Sequence, residues 1–203
     1  RDHRKANISK IVYDLSFDIP ANPHKPVTGK AVISFDLKVP QDVVLDFQGE
    51  LDGTCYVYVE KKKGKMKRMP MEVTYRDEHI ILPMEWMREG PNKVELEFIA
   101  NDKALNRNED YMYTLFVPDL ARSAFPCFDQ PDLRAVFVTS LKVPEGWKTM
   151  ISDNVCQLPT YLYSFVAGNF QEKTALRDGR PMRFLYRETD PYKVAQLDQV
   201  FDE

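Results

Sequence analysis

The sequence predicts an all-β fold, with large twisted antiparallel or mixed sheets packed as a sandwich or saddle and a short C-terminal helix. Three observations carry that expectation. Apolar residues recur with a period of two over 11–19, 31–39, 94–98 and 135–143, the pattern of strands with one face on a core and one in water. Proline- and glycine-rich breaks such as ANPHKPVTG separate those runs, and such breaks turn a chain. Helical spacing enters only near the end, where Val194, Leu197, Val200 and Phe201 follow Asp190-Pro191, a plausible helix start.

Taken in order, Ile11, Tyr13, Leu15, Phe17 and Ile19 alternate with Asp14, Ser16 and Asp18, and Ala31, Ile33, Phe35, Leu37 and Val39 repeat the pattern against Ser34, Asp36 and Lys38. Two amphipathic strands joined by a Pro/Gly loop pair most simply antiparallel. Residues 43–47 and 54–60 give two more strands around the turn 49–53. The run KKKGKMKR that follows is the strongest charge cluster of the chain. Its Gly and its strand-like flanks make it a solvated hairpin tip; the competing reading is a surface for an anionic partner.

Residues 79–82 form a short strand, and 84–89 one helical turn that Gly90-Pro91 stops. Val94, Leu96 and Phe98, interleaved with Lys93, Glu95 and Glu97, restore the period of two, with both glutamates on an outward, solubilising face. Residues 101–110 are polar and aperiodic, an exposed loop. A turn at 144–147 leads to a short strand over 148–152. The nearly all-apolar run 161–167 is expected to be covered on both faces, and 181–187 is the last strand. The expected core comprises Tyr13, Leu15, Phe17, Ile33, Phe35, Leu96, Phe98, Phe137, Leu141, Leu162 and Phe165.

Composition excludes several classes of function. With 203 residues, 43% hydrophobic and 12% aromatic, the chain is able to bury a core without disulfide or metal staples. A net charge of −3 leaves no footprint for nucleic acid. Cys55, Cys127 and Cys156 are odd in number and lack CxxC spacing, which fits buried thiols rather than a zinc or disulfide framework. No apolar run reaches transmembrane length, and the polar start is unlike a signal peptide. Because a leader removed earlier leaves no trace, secreted, periplasmic and cytoplasmic locations all stay open.

The stretch 111–143 organises the rest. Pro118, Pro126 and Pro131 exclude a helix interior from its centre, since each removes a backbone donor and restricts its predecessor, so an ordered loop delivers the chain to the strand 135–143. Arg122 and Asp129 stand in this otherwise apolar loop, where unpaired burial is costly. They are expected to pair with each other or with backbone groups and so fix the loop. Ser123 and Ser164 have no nucleophile-elbow context, and His3, His24 and His79 are not at ligand spacing. No catalytic residue, metal ligand or cofactor is therefore expected of this chain alone.

Ala121, Arg122, Ala124, Phe125, Pro126, Cys127, Phe128, Asp129 and Pro131, followed by Arg134, Ala135 and an alternating strand, resemble the signature loop in the N-terminal domain of the aminopeptidase N family of zinc metallopeptidases, the gluzincin aminopeptidases that include leukotriene-hydrolase-like members. Tyr13, Leu15, Phe17 and Gly29 resemble that family's opening hairpin. Residues 161–170, YLYSFVAGNF, resemble the strand and turn that close its first domain. The resemblance covers nearly the whole chain, but only the first domain of the family.

The resemblance implies a non-catalytic domain, residues 1–188, with 189–203 starting a helix toward a catalytic domain that lies outside this sequence. The HExxH zinc helix and the Gly-Ala-Met-Glu-Asn loop of that domain are missing here. Zinc, peptide substrate and the catalytic domain as partner are thus implied for an intact parent enzyme. The segment before Arg122 is implied to wall the substrate cleft, through Leu115, Val117, Pro118 and Asp119. In the family an acidic residue and often a glutamine in this segment hold the substrate's α-amine. Those two places fall on Val117 and Leu115, neither of which accepts a charge-assisted hydrogen bond. A cleft wall requires Val117 to be exposed; an ordinary core strand requires it to be buried. The alternative reading is a self-contained β-sandwich binding module for glycan or protein.

Overall fold

A computed structural model describes residues 2–61, 64–152 and 156–202. Strand makes up 51% of it and helix 15%, the mostly-β composition expected. The strand Ile8–Asp18 lies inside an eight-stranded sheet. On one side it pairs antiparallel with Thr28–Leu37, and on the other it pairs parallel with Arg134–Lys142, Tyr13 facing Phe137 and Phe17 facing Leu141. Parallel neighbours need a crossover; residues 19–133 together serve as one, which brings the 111–143 stretch back against the first strand.

The sheet continues through Gly90–Ile99 to the hairpin Cys55–Lys61 and Lys65–Met71, with Leu158–Pro159 at the opposite edge. A three-stranded sheet joins Val43–Asp46, His79–Leu82 and Thr74–Arg76. A four-stranded sheet runs Leu105–Arg107, Tyr111–Thr114, Phe165–Gly168, Lys148–Ile151. Inward residues of the large sheet, among them Tyr13, Leu15, Phe17, Ile33, Leu96 and Phe137, merge with Leu45 and Ile80 and with Met112 and Ala167 of the smaller sheets into one buried cluster. Phe137 stacks on Tyr163 at 4.3 Å and on Tyr13 at 5.1 Å. Full burial of such side chains supplies about 2 kcal/mol each, so this face is where the fold gains most.

Several expectations change. The run 161–167 is not one strand: Thr160–Leu162 is a 3-10 turn and only Phe165–Gly168 is extended. Leu162 is half exposed rather than core, and Leu141 only packs on the core's margin. Residues 101–110 contain a 3-10 turn and the strand Leu105–Arg107, with Ala104 and Leu105 buried. Gly90-Pro91 opens a strand instead of merely ending a turn. Gln171–Arg177, not anticipated, pairs with Arg180–Tyr186. The expected short C-terminal helix is present, in two segments, Pro191–Ala195 and Leu197–Asp202, the first capped by the Asp190 carboxylate accepting from Tyr192 N. They rest on that hairpin through Phe201 against Phe184 and Lys173 with Asp198 at 2.9 Å. An unforeseen helix, Asp2–Asn7, precedes the first strand. Its Asn7 side chain donates to Val39 O and accepts from Val39 N, which ties the chain start to the residues just past the second strand. The basic hairpin is present, Lys61 opposite Lys65, although Lys62 and Lys63 of the run lie outside the described residues.

The outward face of Gly90–Ile99 also differs. Glu97 is exposed, but Glu95 is 5% exposed. Tyr58 OH and Arg68 Nη2 donate to its carboxylate and Lys30 Nζ lies 3.8 Å away. Burial pushes this carboxyl up, but the bonds from Arg68 and Tyr58 and the Lys30 charge outweigh it and hold the group below its ordinary range. Glu95 therefore stabilises the fold fully above the ordinary glutamate value, and that contribution is lost as pH falls through the depressed folded value. Glu95→Gln is expected to lower Tm at neutral pH, with the difference from the parent sequence shrinking as pH falls through the depressed folded value, a convergence that thermal melts taken from neutral pH downward would reveal. A second test concerns Gly29, where an added Cβ would lie 2.6 Å from Ser16 O and from the Phe98 ring. Gly29→Ala is expected to cost about 1–3 kcal/mol in urea unfolding.

Candidate functional site

Alternation along an extended chain decides what the 111–119 segment presents. After the strand Tyr111–Thr114, Phe116 points inward, 2% exposed, against Phe125 at 5.8 Å and Tyr163 at 5.9 Å. Leu115 and Val117 point outward, 54% and 50% exposed, with Tyr113 exposed two residues before Leu115. Phe116 thus belongs to the core, and Leu115 and Val117 alone of residues 115–117 face outward. Backbone ties keep the segment in place. Thr114 Oγ1 accepts from Phe165 N and donates to Phe165 O, and Leu115 N donates to Ala104 O at 2.9 Å. The Val117–Pro118 peptide is cis, and Pro118 and Asp119 are exposed.

The chain then makes one helical turn, Ala121–Ala124, so the centre of the stretch is not entirely loop. Arg122 and Asp129 meet: Arg122 Nε lies 3.3 Å and Arg122 N 3.1 Å from Asp129 Oδ2. The same guanidinium reaches back to Asp119, Nη2 to Oδ2 at 3.2 Å and Nε to the carbonyl at 3.1 Å. Burial disfavours the Arg122 charge, but Asp129 first, then Asp46 and Asp119, more than offset this and keep it protonated. Asp129 Oδ1 accepts from Thr160 Oγ1 at 2.7 Å.

Sequence reasoning missed the partners on other elements. Asp46, 4% exposed, closes the strand Val43–Asp46. Its carboxylate accepts both Arg4 Nη1 and Nη2, at 2.6 and 2.7 Å, and accepts Asp129 N at 2.9 Å. Its backbone makes an antiparallel bridge to Cys127. His79 Nε2 stands 3.5 Å from Asp46 Oδ1. Tyr13 OH accepts Phe128 N at 2.8 Å inside the core. The available signal was an acid in an otherwise apolar strand, VVLDF, where burial demands a counter-charge. Arg4, Asp46, His79, Asp119, Arg122 and Asp129 line an open pocket of about 570 Å³.

Chemically this pocket is self-satisfied. Each of its two guanidinium groups is held by a carboxylate. Burial and the nearby Asp129 and Asp46 carboxylates push the Cys127 thiol well up, so it is not a thiolate nucleophile; burial raises Cys55 to about 11. Cys156, by contrast, is exposed. Among the described residues no group of His, Cys, Asp and Glu is placed to hold a metal ion.

The sequence family described as the Peptidase M1 N-terminal domain matches residues 9–162. Aminopeptidase N of Streptomyces lividans is 52% identical over 48 residues, which is 23% of this chain and 5% of that protein. The fold is similar to that of the M1 zinc metallopeptidase from Deinococcus radiodurans, with TM-score 0.71 and 15% identity over 94% of this chain and 52% of that one. It is likewise similar to a two-domain M1 zinc metallopeptidase bound to L-tryptophan, with TM-score 0.70 and 16% identity over 91% of this chain and 49% of the other. The chain thus spans about half the length of these solved structures.

Asp46→Ala should be the most damaging polar substitution around the loop, because it leaves Arg4 and Asp129 N without their partner. A loss of about 3–5 kcal/mol is expected from breaking a buried pair on one side, with Arg4→Ala milder because Asp129 N still donates to the Asp46 carboxylate. Chemical denaturation of the two variants checks the order.

Proposed function

The chain belongs to the Peptidase M1 N-terminal domain family, and from that premise we propose that it is the non-catalytic first domain of a zinc aminopeptidase, packing on the catalytic domain and walling the substrate cleft. One observation carries this reading: Leu115 and Val117 stand half exposed on a segment whose backbone is fixed on both sides. Exposed apolar side chains on a rigid support favour association, since docking removes them from water without a further ordering cost. Tyr113, two residues earlier on the same alternation, extends the apolar character of this region.

In this reading Leu115, Val117, Pro118 and Asp119 form the wall, and Arg122 with Asp129 fixes the loop behind it. Asp119 is occupied by Arg122, so it does not stand in for a missing amine anchor. The wall then contributes shape and apolar contact, while recognition of a charged α-amine falls to other parts of the enzyme. Residues 1–188 form the β domain and 189–203 lead toward the catalytic domain, with the helical pieces first packing on the hairpin 171–186. Among the described residues no group fits a zinc site, so in this reading zinc chemistry belongs to the catalytic domain.

Two outcomes test the proposal. The chain alone should hydrolyse no aminoacyl-p-nitroanilide, and reloading after metal-free dialysis should leave zinc well below one equivalent. In the intact enzyme, Leu115→Gln combined with Val117→Glu should raise kcat/KM for free-amine substrates relative to N-acetylated ones by about tenfold, the scale of one added charge-assisted contact. An unchanged ratio would remove these residues from the cleft.

A further inference from the structure

The buried cluster that unites the three larger sheets ends in sequence at Ala167, and no apolar residue of 171–202 belongs to it or packs on it among the described residues. Residues 171–202 have a small apolar centre of their own. Phe201, 4% exposed, sets its ring edge-on to Phe184 of the hairpin. Around that contact Lys173 pairs with Asp198 and Arg177 with Asp202. Hairpin and helical pieces thus form one arm, and within this sequence its covalent link to the β body is the single connection at Phe170.

What holds the arm against the body is polar. Lys148 Nζ stands 3.4 Å from Glu172 Oε2, and Arg183 Nη1 donates to Thr149 O at 2.8 Å. Arg187 reaches Asp110 Oδ2 at 3.4 Å and lies 4.4 Å over the Tyr111 ring. The bond from Arg183, with Lys148 adding to it, holds the Glu172 carboxyl below its ordinary range. The lysine and arginine of the two ion pairs remain open to water, Lys148 39% and Arg187 48% exposed. Ion pairs in water hold weakly and are screened by salt, and an element without buried apolar contacts to its neighbour moves most readily.

The pivot is narrow. On the body side the chain is fixed, since Asn169 N donates to Asp110 O at 2.8 Å and a Cβ on Gly168 would lie 2.5 Å from Tyr111 Cβ. Phe170 N then donates to Gly168 O, which reverses the chain. The paired strand Gln171–Arg177 begins directly after it.

We propose that residues 171–202 turn as a rigid arm about Phe170 and Gln171, with the Lys148–Glu172 and Arg187–Asp110 pairs as a salt-sensitive latch. On the reading above, in which 189–203 lead toward a catalytic domain, the arm lets the wall at Leu115 and Val117 shift relative to that domain. The turning itself belongs to this chain alone and is measured on it. Pulsed electron–electron resonance between spin labels on Val138→Cys and Leu176→Cys, in a Cys156→Ser background, reports it, because both positions are exposed while Cys55 and Cys127 are buried. The distance distribution should be narrow in dilute buffer and broaden at least about twofold at about 0.5 M salt, where the screening length falls to about 4 Å. Lys148→Ala with Arg187→Ala should broaden it equally in dilute buffer, and Lys148→Arg with Arg187→Lys should keep it narrow there. Hydrogen exchange of the paired amides of 171–186 should stay unchanged throughout, the mark of turning rather than unfolding. A distribution that ignores both salt and the alanine variant would overturn the proposal, and so would loss of amide protection in step with the broadening.

Discussion

The buried carboxylate of Asp46 is the constraint on which the central loop depends. A charge withdrawn from water costs several kcal/mol unless partners meet it with good geometry. Asp46 is met from two directions, by the forked guanidinium of Arg4 in the first helix and by the backbone N–H of Asp129 in the loop. Each partner holds a different piece of chain. Because the backbone of Asp46 also bridges to Cys127, the loop's path over the three-stranded sheet is set by both main chain and side chain.

That fixation propagates outward. Asp129, held at its N–H by Asp46, offers its carboxylate to Arg122 and Thr160, and Arg122 in turn holds Asp119. On the apolar side, Tyr13 OH accepts Phe128 N while its ring stacks on Phe137, and Phe125 packs edge-on against Phe116, Phe137 and Tyr163. Polar and aromatic contacts thus grip the loop from opposite faces. Leu115 and Val117 are left outward because Phe116 between them is committed inward, so their exposure is a consequence of packing behind them.

The alternating strands were legible because a period of two encodes which face is buried, and Tyr13, Leu15, Phe17, Ile33 and Leu96 sit where that pattern puts them. Alternation gives direction but not cover. Glu95 does point away from the core, yet Tyr58, Arg68 and Lys30 converge over it. The run 161–167 was misread because unbroken apolarity has no period: a 3-10 turn exposes Leu162 and buries Tyr163. In the loop, Arg122 and Asp129 drew attention as charges among apolar residues. Their neighbours Arg4, Asp46 and Thr160 come from distant positions, and one sequence read alone does not reveal such long-range pairs.

The family assignment and the geometry of the loop meet in the proposal that a catalytic domain covers the half-exposed face around Tyr113, Leu115 and Val117 in the intact enzyme. Hydroxyl-radical footprinting of this face, on the chain alone and on the intact enzyme, measures that most directly. The account predicts strong modification of Tyr113 and Leu115 in the chain alone and clear protection in the intact enzyme. Equal modification in the two would contradict it.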